Sequence, residues 1–149
     1  MLFAFGLVPI SVFLHYPAIK APLANFMHIA GTVLIVPSAL LALYVHHLFP
    51  SKHETPEDFD RLLSDGPYRY VRHPFYSAFI FLGFGIALYF ASVPGILFNV
   101  LLILRWNRLA ALEEEELLQY WGTEYRQFMQ SRPRFVPRVR LGGFCKWCH

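Results

Sequence analysis

Long apolar runs alternate with shorter polar stretches along this chain of 149 residues. A helix needs about 20 apolar residues to cross a bilayer, so such runs predict membrane-spanning helices. Spans are predicted at residues 2–16, 26–49, 74–90 and 94–106. The first run is short, but it has neither a basic leader nor a small-residue cleavage site, which favours a retained span over a signal peptide. The pattern predicts an all-α, polytopic integral membrane protein with about four transmembrane helices in one domain, residues 1–149.

Turn-forming residues set the boundaries of the later spans. Asp65, Gly66 and Pro67 form a turn signal ahead of the third span. The sequence Ser-Val-Pro-Gly at residues 92–95 predicts a tight hairpin between the third and fourth spans. The helical pattern of the fourth span continues through RWNRLAALEEEELLQYWG. The second half of that helix is therefore expected to leave the membrane.

The distribution of charge predicts the side of the membrane on which each polar stretch lies. Hydrophobic residues make up 56% of the chain and aromatic residues 17%, which is more apolar than a soluble domain requires. Of the 13 Lys and Arg residues, Lys20 stands alone between the first two spans, four lie in the loop 50–73 and eight lie from Arg105 onwards. By the positive-inside rule, this loop and the C-terminal region 107–149 are cytoplasmic. The net charge of +3 then suits anionic lipid headgroups, and no motif points to nucleic acid.

Two polar motifs are predicted on this cytoplasmic side, at the ends of the two helices that the hairpin pairs. They are GPYRYVRHPFY and RWNRLAALEEEE, and the hairpin allows them to meet. The longer stretches LLSDGPYRYVRHPFYSAFIFLGFGIAL and EEEELLQYWGTEYRQFMQSRPRFVP resemble the isoprenylcysteine carboxyl methyltransferase family and the related membrane phospholipid N-methyltransferases. The resemblance covers residues 60–137, and the pairing of RHPxY with a double-Glu motif about forty residues later is specific.

This resemblance implies a membrane methyltransferase that binds S-adenosylmethionine at the cytoplasmic mouth of the helix pair. It also implies a lipophilic or small-molecule methyl acceptor that arrives laterally from the bilayer. A Gly-x-Gly similar to Gly83 and Gly85 is linked to the cofactor in the phospholipid enzymes, although these glycines also suit close approach of a partner helix. By motif, the remaining cofactor contacts are Leu62, Leu63, Tyr68, His73, Pro74, Phe75, Tyr76, Glu113 and Glu114.

The chemistry of the cofactor independently favours residues of these types. Tyr68 and Tyr76 offer aromatic faces to an adenine ring or a sulfonium cation. Arg72 and His73 offer hydrogen-bond donors to a carboxylate, and Glu113 offers an acceptor to ribose hydroxyls or an ammonium group. Arg72 is therefore predicted as a cofactor contact too.

The sequence departs from the isoprenylcysteine enzymes at two positions. Those enzymes carry an arginine that contacts the substrate one helical turn before the first motif glutamate, and Leu109 stands there in this chain. Arg105 lies closer than Arg108 to the Glu113 face of a 3.6-residue helix, so Arg105 is the predicted catalytic clamp on the acceptor. The family usually has glycine where this chain has Ala78. The methylated atom, whether oxygen, nitrogen or sulfur, stays open.

The C-terminal sequence CKWCH, residues 145–149, supports a rival interpretation. It matches the C-x-x-C-H pattern of haem attachment, so the alternative function is a non-catalytic membrane redox or haem-associated subunit. The predicted cytoplasmic location of this tail favours reduced thiols instead.

Two further features receive structural interpretations. His46, His47 and His53 cluster near the end of the second span, but no further ligands stand at metal-binding spacing, so no metal site is predicted. Residues 133–137, PRFVP, are similar to the closing segment of the family, which implies a lid over the site.

Overall fold

A computed structural model describes residues 21–48 and 62–138 of the chain. Within these ranges the backbone forms α-helices and no β-strand, which confirms the all-α fold class. A short 3₁₀ turn, Gly66–Arg69, precedes the second helix. The helices in chain order are α1 (Ala21–Leu48), α2 (Pro74–Tyr89), α3 (Val93–Trp121) and α4 (Thr123–Ser131).

Two of these helices, α1 and α3, are long and apolar enough to cross a membrane. Helix α2 is apolar but only 16 residues long. The predicted first span, residues 2–16, lies outside the described residues, as does the first half of the loop 50–73. The four-span topology therefore remains a prediction.

Helices α1 and α2 pack closely through glycines. A Cβ atom added to Gly31 of α1 would lie 2.6 Å from the backbone nitrogen of Tyr89, and one added to Gly85 of α2 would lie 2.9 Å from Ile35 Cγ1. Only glycine fits backbones at such distances. The outer face of α1 carries a stripe of exposed apolar side chains, as expected of a helix face in contact with lipid: Phe26, Ile29, Val33, Val36, Leu40 and Leu43.

The hairpin between α2 and α3 lies where the sequence predicts it. Ser92 caps α3 by accepting a hydrogen bond from the Gly95 backbone N–H at 3.1 Å. The buried Asn99 side chain donates to the Ile80 carbonyl at 3.0 Å, and so ties α3 to α2 seven residues from the cap. This pairing fixes the register in which α3 runs back along α2.

The chain after α4 turns back onto the start of α2. The Pro133 carbonyl accepts from the Arg72 backbone N–H at 2.9 Å, and the Arg134 carbonyl accepts from the His73 N–H at 3.1 Å. The Ser77 hydroxyl donates to the Phe135 carbonyl at 2.8 Å. Residues 132–135, the C-terminal segment, therefore lie against the beginning of α2, beside the middle of α3.

Candidate functional site

The two polar motifs meet at His73, the buried residue that immediately precedes α2. Its Nε2 atom lies 3.0 Å from Glu114 Oε1, and its Nδ1 atom lies 3.3 Å from Glu113 Oε2. Tyr76 donates a hydrogen bond from its hydroxyl to Glu113 Oε1. Side chains 37 to 41 residues apart in sequence thus form one cluster.

Local sequence explains why these side chains point the same way. Pro74 occupies the first turn of α2, where a missing N–H costs least. His73 and Tyr76 are three residues apart and therefore lie on one face of the helix, with their rings stacked at a centroid distance of 5.6 Å. Glu113 and Glu114 are successive residues of α3 and diverge by about 100°. The two carboxylates consequently enter different environments.

Glu114 is the buried centre of the cluster, with only 3% of its side chain exposed. Arg134 of the C-terminal segment donates to it through Nε at 3.1 Å and again through Nη2. Arg72 Nε lies 3.4 Å from Oε1. Burial alone raises the pKa of Glu114, but the hydrogen bonds from His73 and Arg134 and the charges of both arginines lower it to about 2. The carboxylate is therefore ionised and fully compensated.

His73 itself is biased towards its charged form. Burial lowers the pKa of His73, but hydrogen bonds to Glu113 and Glu114 and their negative charges outweigh burial, so the pKa is raised above the ordinary 6.5. The ring keeps a proton on both nitrogens to higher pH than an isolated histidine would. In that form it donates to one glutamate from each side.

Glu113 differs from Glu114 because 46% of its side chain is exposed. Its carboxylate is held by Tyr76 and His73, yet it still faces open space. It can therefore accept hydrogen bonds from a ligand while its orientation stays fixed.

Aromatic rings surround the exposed glutamate. Trp106 of α3 stacks on Tyr76 with centroids 4.9 Å apart, and Phe79 lies 6.1 Å from the same indole. Phe75 packs edge-on against Phe79 at 4.8 Å. Such a surface suits a planar heterocycle or a sulfonium cation.

Other predicted cofactor contacts lie before α2. Tyr68, in the 3₁₀ turn, is close enough to the cluster that burial and the negative charge of Glu113 raise its pKa. Leu62 and Leu63 are half-buried ahead of this turn. Their contact with a cofactor remains a prediction.

The structure places Gly83 and Gly85 against neighbouring helices. A Cβ atom on Gly83 would overlap the Asn99 side chain of α3, and one on Gly85 would meet Ile35 of α1. Sequence analysis allowed approach of either a partner helix or the cofactor. Helix packing accounts for both glycines, and a role in cofactor binding remains a prediction.

Arg105, the predicted clamp, and its neighbour Arg108 lie on the surface of α3. Arg105 is exposed immediately before Trp106, and Arg108 is exposed one turn later. Sequence reasoning missed Arg134, whose Nη1 atom also donates to Asn107. The family resemblance of PRFVP indicated a lid, but no spacing in the sequence linked Arg134 to a glutamate 20 residues earlier.

No group of three or more His, Cys, Asp and Glu side chains able to hold a metal ion occurs within residues 21–48 and 62–138. His46 and His47 are exposed at the end of α1. His53 and the CKWCH sequence lie outside the described residues.

An apolar groove of about 580 Å³ lies beside the C-terminal segment and the beginning of α2. Phe135 lines this groove and also lies 6.2 Å from the His73 ring, centroid to centroid. The Phe135 ring therefore borders both the groove and the histidine of the cluster. The groove is otherwise lined by Leu41, Tyr44, Gly66, Pro67, Arg69, Tyr70, Val71, Pro74, Ser77, Phe81 and Pro137.

A family model described as phospholipid methyltransferase matches residues 26–124, a range that includes both polar motifs. The chain belongs to this family. It is also similar to protein-S-isoprenylcysteine O-methyltransferase from Schizosaccharomyces pombe, with 30% identity over 79 residues, 52% of this chain and 34% of that protein. Protein-S-isoprenylcysteine O-methyltransferase B from Arabidopsis thaliana is 30% identical over 84 residues, 56% of this chain and 43% of that protein. The match spans less than half the length of either curated relative.

These matches confirm the resemblance to the isoprenylcysteine and phospholipid methyltransferases. Membership of the phospholipid methyltransferase family and the two long apolar helices are together consistent with a membrane location. Neither relative supports the alternative of a redox or haem-associated subunit.

Proposed function

We propose that the protein is a membrane-embedded, S-adenosylmethionine-dependent methyltransferase that acts on a lipophilic or small-molecule acceptor. The observation that carries the proposal is the joining of His73, Tyr76 and Glu113 from two helices into one half-open site. Its family membership and two relatives named as O-methyltransferases support it. The names of these relatives favour an oxygen atom as the methyl acceptor.

The polar groups of the site match those of the proposed cofactor. Glu113 is positioned to accept from ribose hydroxyls or the ammonium group, and the Tyr76–Trp106 stack offers an aromatic face. Arg72 Nε is buried beside Glu114 at 3.4 Å, and the positive charge of its guanidinium favours a carboxylate nearby. His73, whose two ring nitrogens face Glu114 and Glu113, holds Glu113 in position for the cofactor. When bound, S-adenosylmethionine supplies a methyl group activated by a positively charged sulfur.

The chain's own contribution is alignment and exclusion of water. Methyl transfer is an in-line displacement, so holding the acceptor and donor in register supplies much of the acceleration. A carboxylate or thiolate acceptor requires no general base at neutral pH, whereas an amine must first lose a proton. The aromatic rings beside Glu113 would limit access of water once both ligands are bound, and exposed Arg105 is the proposed clamp for a polar or anionic acceptor.

The proposal also includes the location of the reaction. The exposed apolar stripe of α1 supports burial of this helix in lipid, and the distribution of Lys and Arg supports a site facing the cytoplasm. Phe135 connects the cluster to an apolar groove, which supports an acceptor that arrives laterally from the bilayer.

The test is transfer of labelled methyl from S-adenosylmethionine into a membrane lipid extract, with the acceptor then identified from the labelled product. The wild-type protein is expected to transfer the label. Arg105→Ala is expected to lower kcat/KM for the acceptor about tenfold, the loss of one charge-assisted contact, and to leave cofactor affinity unchanged. Arg108→Ala is the matched control and should have little effect.

Absence of transfer by the wild-type protein to any component of the extract would contradict the proposal. A larger loss with Arg108→Ala than with Arg105→Ala, in folded and cofactor-competent protein, would reassign the clamp to Arg108.

A further inference from the structure

All three guanidinium nitrogens of Arg134 donate hydrogen bonds to side chains of α3. Nε and Nη2 donate to the two carboxylate oxygens of Glu114, and Nη1 donates to Asn107. Glu114 and Asn107 are two helical turns apart and share one face of α3. Because each of its three nitrogens already donates to α3, the effect of Arg134 on the site is expected to pass through these partners.

The most direct of those partners is shared with His73. Glu114 Oε1 accepts from Arg134 Nε at 3.1 Å and lies 3.0 Å from His73 Nε2. One buried oxygen atom of Glu114 therefore interacts with both Arg134 and His73. His73 in turn approaches the ligand-facing Glu113 through its other nitrogen at 3.3 Å.

The backbone of the C-terminal segment reinforces the same connection. The carbonyls of Pro133 and Arg134 accept from the backbone N–H groups of Arg72 and His73. The C-terminal segment thus contacts the His73 backbone directly, and it contacts the His73 side chain indirectly, through Arg134 and Glu114.

We propose that Arg134 is a positioning residue of the cofactor site, acting through Glu114 on His73 and through His73 on Glu113. The identity of the ligand rests on the proposed function, whereas the link from Arg134 to His73 does not. Arg134 balances the negative charge of Glu114. This buried carboxylate therefore orients the His73 imidazole without fixing the ring in its protonated form.

The charged and titratable groups around His73 set the sign of the expected effect. Glu114 is buried, so in the absence of Arg134 its carboxylate is not solvated by bulk water and keeps His73 and Arg72 as its partners. Removing the positive charge of Arg134 stabilises the His73 imidazolium and raises the pKa of His73. The charged and titratable groups around His73 are Glu113 and Glu114 of α3, Arg72 and Tyr68 before α2, Tyr76 of α2, Tyr125 of α4 and Arg134.

The experiment is an NMR titration of protein with isotope-labelled histidine, in detergent and without cofactor. His73→Asn identifies the His73 signal by its disappearance. Arg134→Gln is expected to raise the pKa of His73 by roughly half to one pH unit. Arg134→Lys keeps the charge and is expected to leave the pKa close to the wild-type value.

Two controls separate this effect from loss of charge or of segment anchoring in general. Arg126→Gln removes an exposed positive charge from α4, and Arg132→Gln removes contacts of the same segment to the Arg69 carbonyl and Ser131. Neither is expected to move the His73 titration. An unchanged or lowered pKa in Arg134→Gln, or an equal rise in either control, overturns the proposal.

A second measurement adds the ligand. By calorimetry, Arg134→Gln is expected to weaken S-adenosylmethionine binding roughly tenfold, and the double variant with Glu114→Gln is expected to bind no more weakly than Glu114→Gln alone. Additive losses overturn the proposal. If Arg134→Gln fails to fold, Arg134→Lys enters the same cycle. If the wild-type protein binds no S-adenosylmethionine, the proposed function fails, and the histidine titration still decides the role of Arg134.

Discussion

Glu113 and Glu114 are adjacent in sequence and have opposite environments. Glu114 is buried and makes four hydrogen-bonding or ionic contacts, whereas almost half of the Glu113 side chain is exposed. The sequence alone gives both residues one role, because a pair of glutamates in a helix shows no difference before the helix is packed. Packing of α3 against His73 and Arg134 makes one carboxylate a structural partner and leaves the other facing open space.

The shifted pKa values of His73 and Glu114 predict a pH window for stability. The pKa of Glu114 is lowered from 4.5 to about 2, so its stabilising effect is full above 4.5 and is lost as pH falls through about 2. The pKa of His73 is raised from 6.5, so its effect is full below 6.5 and is lost as pH rises through the raised value. We expect the apparent unfolding temperature in detergent to fall on both sides of this window.

Matched variants assign each limb of that profile. Glu114→Gln should flatten the acidic limb and His73→Asn the alkaline limb, whereas exposed Glu116→Gln should preserve both. Profiles of all three variants parallel to that of the wild-type protein would show that these two groups do not govern the pH dependence.

Three of the side chains that meet in the cluster, His73, Tyr76 and Glu113, could be predicted because their spacing belongs to a specific motif pair. Arg134 could not. Its contact with Glu114 depends on the turn of the chain after α4, and neither periodicity nor local spacing encodes the place where a short segment returns.

At the scale of the helices, boundaries were predicted correctly where the sequence has clear turn-forming residues. Ser-Val-Pro-Gly marks the α2–α3 hairpin, and the continuous helix through the charged half of α3 was expected from its pattern. The second span was predicted from residue 26, and the helix that contains it begins five residues earlier, at Ala21. Pro22 suits a first helical turn, and the hydrophobic pattern alone did not show that the polar Asn25 lies within the helix.

The close contact between α1 and α2 was also beyond sequence reasoning. Gly31 lies in a long apolar run and carries no local signal, yet a Cβ atom there would meet the backbone of Tyr89. Gly85 was interpreted as allowing close approach of either the cofactor or a partner helix. Its value to the fold appears only when the partner helix is placed beside it.

For the molecule as a whole, the orientation in the membrane is a prediction that labelling can test. Twelve of the 13 Lys and Arg residues lie in segments predicted to be cytoplasmic. With Cys145 and Cys148 replaced, a cysteine introduced at Ser51 or Thr123 should be protected from an impermeant thiol reagent in intact cells, and one at Ala21 should be labelled. Labelling at Ser51 or Thr123 would invert the predicted orientation.

The central claim is that His73 and Glu113, brought together from two helices, form one S-adenosylmethionine site. Calorimetry on detergent-solubilised protein tests it most directly. His73→Ala and Glu113→Ala should each weaken binding by about 1.5–3 kcal/mol, the contribution of a charge-assisted hydrogen bond, while exposed Glu116→Ala should bind like the wild type. Wild-type affinity in both His73→Ala and Glu113→Ala would contradict the account.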